Sequence, residues 1–127
     1  MLIDSDVLIW LTRGHTGAAA RLRSIDPWHI SIVTYIELAQ GCRNKTELLR
    51  LKNGLAQRNT QIINVTDPIS ERAMHLIDQH TLGDGLQLGD ALIAATALEH
   101  RLTLITSNAK HFTPIAGLLI ERFDPIE

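Results

Sequence analysis

Apolar positions in this chain come as short continuous runs separated by longer stretches with helical spacing. Met1 to Ile3 predicts a short buried strand, and Val7 to Leu11 the first turns of a helix. "TGAAARLRSI" (Thr16 to Ile25) has helical composition and ends at Asp26-Pro27, because the residue before a proline is driven out of the helical region. Trp28 to Val33 is rich in β-branched residues and predicts a second strand, followed by a helix from Thr34 to near Gly41. From Lys45 to Arg58, Leu48, Leu51 and Leu55 recur at helical period. Gln61 to Val65 predicts a third strand, and Asp67-Pro68 the capped start of a helix running to about His80. Beyond the Gly-rich "LGDGLQLG", the segment Asp90 to His100 is apolar on almost every side, which predicts a central, buried helix. Leu102 to Thr106 predicts a fourth strand and Gly117 to Phe123 a weak edge strand. Alternating strands and helices with near-continuous apolar runs imply an α/β fold: a parallel sheet of about four to five strands, covered by helices on both faces.

The 127 residues make one domain, 1–127, with room for a genuine core and none for a second. A hydrophobic content of 45% with 20% charged residues excludes a disordered chain. The net charge of −2 supplies no global basic field, which argues against a tight duplex-DNA reader but leaves room for an enzyme that touches RNA briefly. A single cysteine, Cys42, excludes a disulfide framework and a Cys-rich zinc site within the chain. The run Val7 to Leu11 is too short, and too acidic at its front, for a signal peptide or membrane span. A soluble cytoplasmic protein without membrane contact is therefore expected.

The chemistry-bearing residues concentrate where predicted strands hand over to helices. Such sheets bind ligands at the carboxyl ends of their strands. Asp4 and Asp6 follow the first strand, Thr34 and Glu37 the second, and Asn108 the fourth, while Asp90 starts the buried helix. Each has a plain alternative: Asp4 or Ser5 as a helix cap, Thr34-x-x-Glu37 as a capping box, Asp90 as a complement to its helix dipole. Their joint placement at one edge points further. Carboxylates brought to about 4 Å repel by roughly 4 kcal/mol per pair at an effective dielectric near 20. Protonation or a bound cation relieves that repulsion. An all-oxygen donor set favours Mg²⁺ or Mn²⁺ over zinc, and such an ion suits phosphodiester hydrolysis.

"LIDSDVLI", "SIVTYIELAQG" and "LGDALIAATALEHRLTLITSNAKHF" together resemble the PIN-domain family, most closely its VapC-type toxin ribonucleases. The resemblance spans almost the whole chain, and its last segment is the most specific. It implies a three-layer PIN-like fold with metal ligands at Asp4, Glu37 and Asp90, and Asn108 in the fourth acidic or amide place of the catalytic set. It further implies a metal-dependent endoribonuclease that cuts single-stranded RNA to leave a 5′-phosphate. A cognate antitoxin protein would silence it, and a homodimer is the implied assembly. Two positions depart from the family pattern: Asp6 stands where a small polar residue or asparagine is common, and Asn108 is neutral.

Other features have simpler readings. His111 beside Phe112 reads as structural. Between Leu38 and Thr66, Arg43, Lys45, Arg50, Lys52 and Arg58 face only Glu47, either a solvated helix face or an RNA-backbone contact. The leucine stripe reads as core, with an exposed groove for an amphipathic antitoxin segment as its alternative. Trp10 and Trp28 are core or partner-anchoring residues. Two rival functions remain at this level. A haloacid-dehalogenase-type phosphatase would use Asp4 as nucleophile, with Asp6 and the Gly83-Asp84…Asp90 stretch, but leaves Glu37 without a role. A non-enzymatic phospho-receiver domain would phosphorylate Asp67 and pair it with Lys110.

Overall fold

A computed structural model describes residues 1–126. Five short strands, β1 (Leu2–Ile3), β2 (His29–Ser31), β3 (Gln61–Ile63), β4 (Leu104–Thr106) and β5 (Ile120–Arg122), form one sheet in the order β3-β2-β1-β4-β5. Every neighbouring pair is parallel. The helices are α1 (Ser5–Thr12), α2 (Thr16–Arg23), α3 (Ile32–Gln40), α4 (Lys45–Gln57), α5 (Asp67–Asp84) and α6 (Leu88–His100). A 3-10 turn at Ala109–His111 follows β4. The expected α/β class and the sheet with helices on both faces are borne out.

Strand alternation divides the core into two halves. Leu2 and Leu104 face one side, where they pack with Ile69, Leu76, Ile93 and Phe112. Ile3, Ile30 and Ile105 face the other, against Val7, Leu8, Leu22, Trp28 and Leu55. The buried helix is α6, whose Ala91, Ala94, Ala95 and Ala97 let it lie close to the sheet. Phe112 is wholly buried and anchors the turn after β4; emptying such a site costs about 3–5 kcal/mol. Trp28 is also core, its Nε1–H donating to the Leu22 carbonyl at 3.1 Å.

Several boundaries differ from the sequence reading, and the cause is capping. The second strand stops at Ser31, not Val33, because the Ser31 hydroxyl accepts from the Val33 N–H and starts α3 at Ile32. Thr34 therefore lies within the helix, and Thr34-x-x-Glu37 is not a capping box. Thr66, not Asp67, caps α5, with Pro68 in its first turn. That helix runs on to Asp84 and ends at Gly85, whose φ of 72° is the left-handed conformation glycine adopts without strain. Only Gly85, Leu86 and Gln87 of the expected Gly-rich loop lie outside the helices, and α6 begins at Leu88, two residues before Asp90. The third and fourth strands are also shorter than expected, starting or ending within their apolar runs.

Among the described residues no helix is long and apolar enough to cross a membrane.

Candidate active site

The carboxyl ends of the central strand β1 and its neighbour β4 carry the site. Asp4 leaves β1 with its backbone N–H donating to the Ile105 carbonyl of β4 at 3.0 Å. Its side chain caps α1, Oδ1 accepting from the Ser5 N–H at 2.8 Å. The other oxygen, Oδ2, accepts from the Thr106 hydroxyl at 2.8 Å. The cap reading of Asp4 is thus correct as far as it goes, but the residue is only 6% exposed and surrounded by acids. Burial, reinforced by the charge of Asp6 and more weakly of Asp90, pushes its carboxyl up from 3.8 to about 7, against the opposing pull of the Thr106 and Ser5 hydrogen bonds.

Glu37 joins this centre through α1. The Ser5 hydroxyl donates to Glu37 Oε1 at 2.6 Å, and buried Thr34 Oγ1 lies 3.2 Å from the same Ser5 oxygen. The start of α6 comes up to the other carboxylate oxygen, since a Cβ added at Gly89 would stand 3.3 Å from Glu37 Oε2. Asp90 is in the next position, in the first turn of α6, and Gln87 before it makes no side-chain cap. Asp90 Oδ2 lies 3.4 Å from His111 Nδ1, and that nitrogen is 2.9 Å from Asn108 Nδ2. The Asn108 backbone N–H returns to Thr106 Oγ1 at 3.0 Å.

Hydrogen bonds thus join Asp4, Glu37 and Asn108 through Ser5 and Thr106, while Asp90 approaches them through His111 and through its charge. Asp6 faces the site rather than solvent, its Oδ1 3.3 Å from the Ser107 N–H, which it accepts, and its Oδ2 3.4 Å from Thr106 Oγ1. Sequence reasoning missed Thr106, whose signal was a lone hydroxyl closing the apolar run "LTLIT". It also underrated His111, which stands one turn beyond Asn108 and contacts two of the proposed site residues.

Among the described residues, no three His, Cys, Asp or Glu side chains are set to hold a metal ion as a ready-made cage. Tight all-protein coordination is not what Mg²⁺ uses, however. That ion keeps several waters and takes one or two carboxylates together with substrate phosphates. An all-oxygen set containing a buried carboxyl destabilised by two neighbouring acids fits such a cation.

Of the residues the rival readings add to Asp4, Asp6 and Asp90, Asp84 and Asp67 join none of these contacts. Asp84 ends α5 with its Oδ2 at 2.7 Å from His80 Nδ1. Asp67 follows the edge strand β3, two strands away from β1. In the basic segment, Arg43 is taken up by a bidentate contact with Glu47, and Arg58 lies 5.2 Å over the Trp28 ring. On α4, Leu55 is buried, while Leu51 and Leu55 also line an apolar groove with Leu8, Leu11 and Trp28.

Comparison with known proteins converges on one family. The PIN domain family model matches residues 1–118. The chain is 38% identical over 118 residues to Ribonuclease VapC10 of Mycobacterium tuberculosis, covering 88% of this chain and 85% of that relative. A toxin-antitoxin complex from Klebsiella pneumoniae contains a chain 34% identical to this one, with a TM-score of 0.81 over 97% of this chain and 98% of the other. VapBC2 from Rickettsia felis, bound to a promoter DNA fragment, shares the fold at 21% identity, with a TM-score of 0.78 over 97% and 98% of the two chains. With the acids gathered at the carboxyl ends of β1 and β4 and the match running through almost the full length, the chain belongs to the PIN domain family.

Proposed function

We propose that this chain is an endoribonuclease cleaving phosphodiester bonds of single-stranded RNA, the toxin of a toxin–antitoxin pair, with Mg²⁺ or Mn²⁺ as its cofactor. The observation that carries the metal assignment is the Asp4 carboxyl, buried beside Asp6 and Asp90 and pushed up to about 7. A bound cation would offset the charge of such a cluster. Asp4 and Asp90 would hold the ion, with Glu37 contributing through a water and Asn108 through its amide oxygen. Such an ion, when bound, would offset charge on the scissile phosphate and lower the pKa of water.

The remaining work belongs to the chain itself. Thr106 and the Ser5 N–H fix both oxygens of Asp4, so its carboxylate cannot turn as charge builds up. Ser5 Oγ pins one oxygen of Glu37 and leaves the other beside Gly89. The close approach of α6 brings the positive end of its dipole to this edge, which favours an incoming phosphate. No serine or cysteine nucleophile is required. The protein partner is a cognate antitoxin, as in the toxin–antitoxin complexes of the structural relatives, and the apolar groove between α1 and α4 offers contact area for it. The family resemblance is what supports a homodimer as the active assembly.

Incubating labelled single-stranded RNAs with the purified chain, with Mn²⁺ or with chelator, tests this reading beside an Asp90→Asn control. Cutting is expected only with metal and only in the unaltered protein. Equal fragments from the control, or cutting in chelator, would refute it.

A further inference from the structure

Asn108 is an unusual member of an acidic set, because an amide carries one end that can donate and one that can accept. Only its oxygen can face a cation or a cation-bound water. Which end is turned to the acids depends on what holds the other end. Among the described residues a single side-chain partner stands there: His111, with Nδ1 at 2.9 Å from Asn108 Nδ2. The two residues are three apart, joined by the 3-10 turn Ala109–His111 and held down by buried Phe112.

The ring nitrogen faces two groups with opposite requirements. A protonated Nδ1 would donate to Asp90 Oδ2, but that separation is 3.4 Å and the contact would occupy a carboxylate oxygen. A bare Nδ1 accepts from the Asn108 NH₂ at the shorter 2.9 Å and leaves Asp90 unengaged by the ring. We propose that His111 is a positioning residue for Asn108: its bare Nδ1 takes the amide N–H and leaves the amide oxygen as the donor offered to the acidic pocket. His111 touches neither substrate nor ion in this arrangement. The inference rests on the metal-site reading of the same pocket.

The experiment uses three variants of the full chain. His111→Phe keeps the ring and removes the acceptor, His111→Ala removes both, and His111→Asn restores an acceptor oxygen close to the Nδ1 position. Mn²⁺ affinity is measured by calorimetry without RNA, and the Asn108 side-chain amide is followed by ¹⁵N NMR in metal-free protein. His111→Phe and His111→Ala are expected to weaken Mn²⁺ binding by about 10- to 100-fold, the range for groups that orient a metal ligand, and to shift the Asn108 amide signals. His111→Asn is expected to restore both. In an Asn108→Ala background, His111→Phe should add nothing further. Unchanged Mn²⁺ affinity in His111→Phe would overturn the proposal. So would failure of His111→Asn to restore binding in a folded protein, or a rise in KM for RNA with Mn²⁺ affinity intact, which would make the ring a substrate contact. If the chain cut no RNA at all, the nuclease reading would fall while the calorimetric and NMR arms still decided the role of His111.

Discussion

Replacing Asp4 with asparagine should abolish RNA cleavage and, in metal-free protein, make the chain more stable. Unfolded, this carboxyl titrates at its ordinary 3.8; folded, it titrates at about 7. Folding therefore binds a proton in this window, and the stability linked to Asp4 is fully present below pH 3.8 and lost as pH rises from 3.8 through about 7. At 1.36 kcal/mol per pH unit the gap corresponds to ~4 kcal/mol. The asparagine side chain would carry no charge to bury, but its one amide oxygen cannot serve both the Ser5 N–H and the Thr106 hydroxyl. The lost hydrogen bond costs about 1 kcal/mol. Asp4→Asn should thus gain about 3 kcal/mol at pH 8, falling to about 1 kcal/mol at pH 5, where much of the penalty has already been relieved by protonation. The corresponding rise in Tm at pH 8 is on the order of 10 °C. Urea and thermal unfolding of both proteins in chelator at the two pH values measure this directly. Adding Mg²⁺ should raise the Tm of the unaltered protein and leave that of the variant in place. A variant less stable at pH 8, or a difference that does not change between pH 5 and pH 8, would refute the claim that Asp4 is a buried, strained charge.

Two further substitutions separate stability from chemistry. Gly89→Ala should be neutral or slightly stabilising, since alanine favours helix by up to about 1 kcal/mol over glycine. The new Cβ at 3.3 Å from Glu37 Oε2 should nevertheless displace that carboxylate and lower cleavage several-fold, measured as kcat beside Tm. Arg21 clamps Glu121 of the edge strand through two hydrogen bonds and holds its carboxyl below the usual range, chiefly by the hydrogen bond itself. Because that pKa is depressed, the pair stabilises above the ordinary carboxylate value, and the benefit is lost as pH falls through the folded one. With both side chains 34% exposed, Arg21→Ala should cost less than about 1 kcal/mol at pH 7. The loss should vanish in acid, as followed by urea unfolding.

The apolar runs by themselves determined the α/β class, the parallel sheet and the buried α6. Continuous hydrophobic strands and an alanine-rich helix leave few other ways to exclude water. The sequence also singled out the acids that the fold brings to one edge, because polar residues that interrupt such runs at strand ends are conspicuous. Element ends were less legible, since a hydroxyl at Ser31 or Thr66 wins a cap by local geometry that a propensity pattern does not contain. Only the tertiary structure decided that Asp6 faces inward, that Thr106 and Ser5 tie Asp4 to Asn108 and Glu37, and that His111 reaches Asn108 and Asp90. Those contacts join β1, α3, α6 and the turn after β4. Their distances are set by how helices pack on a twisted sheet, and a burial-driven pKa such as that of Asp4 exists only once the packing is complete.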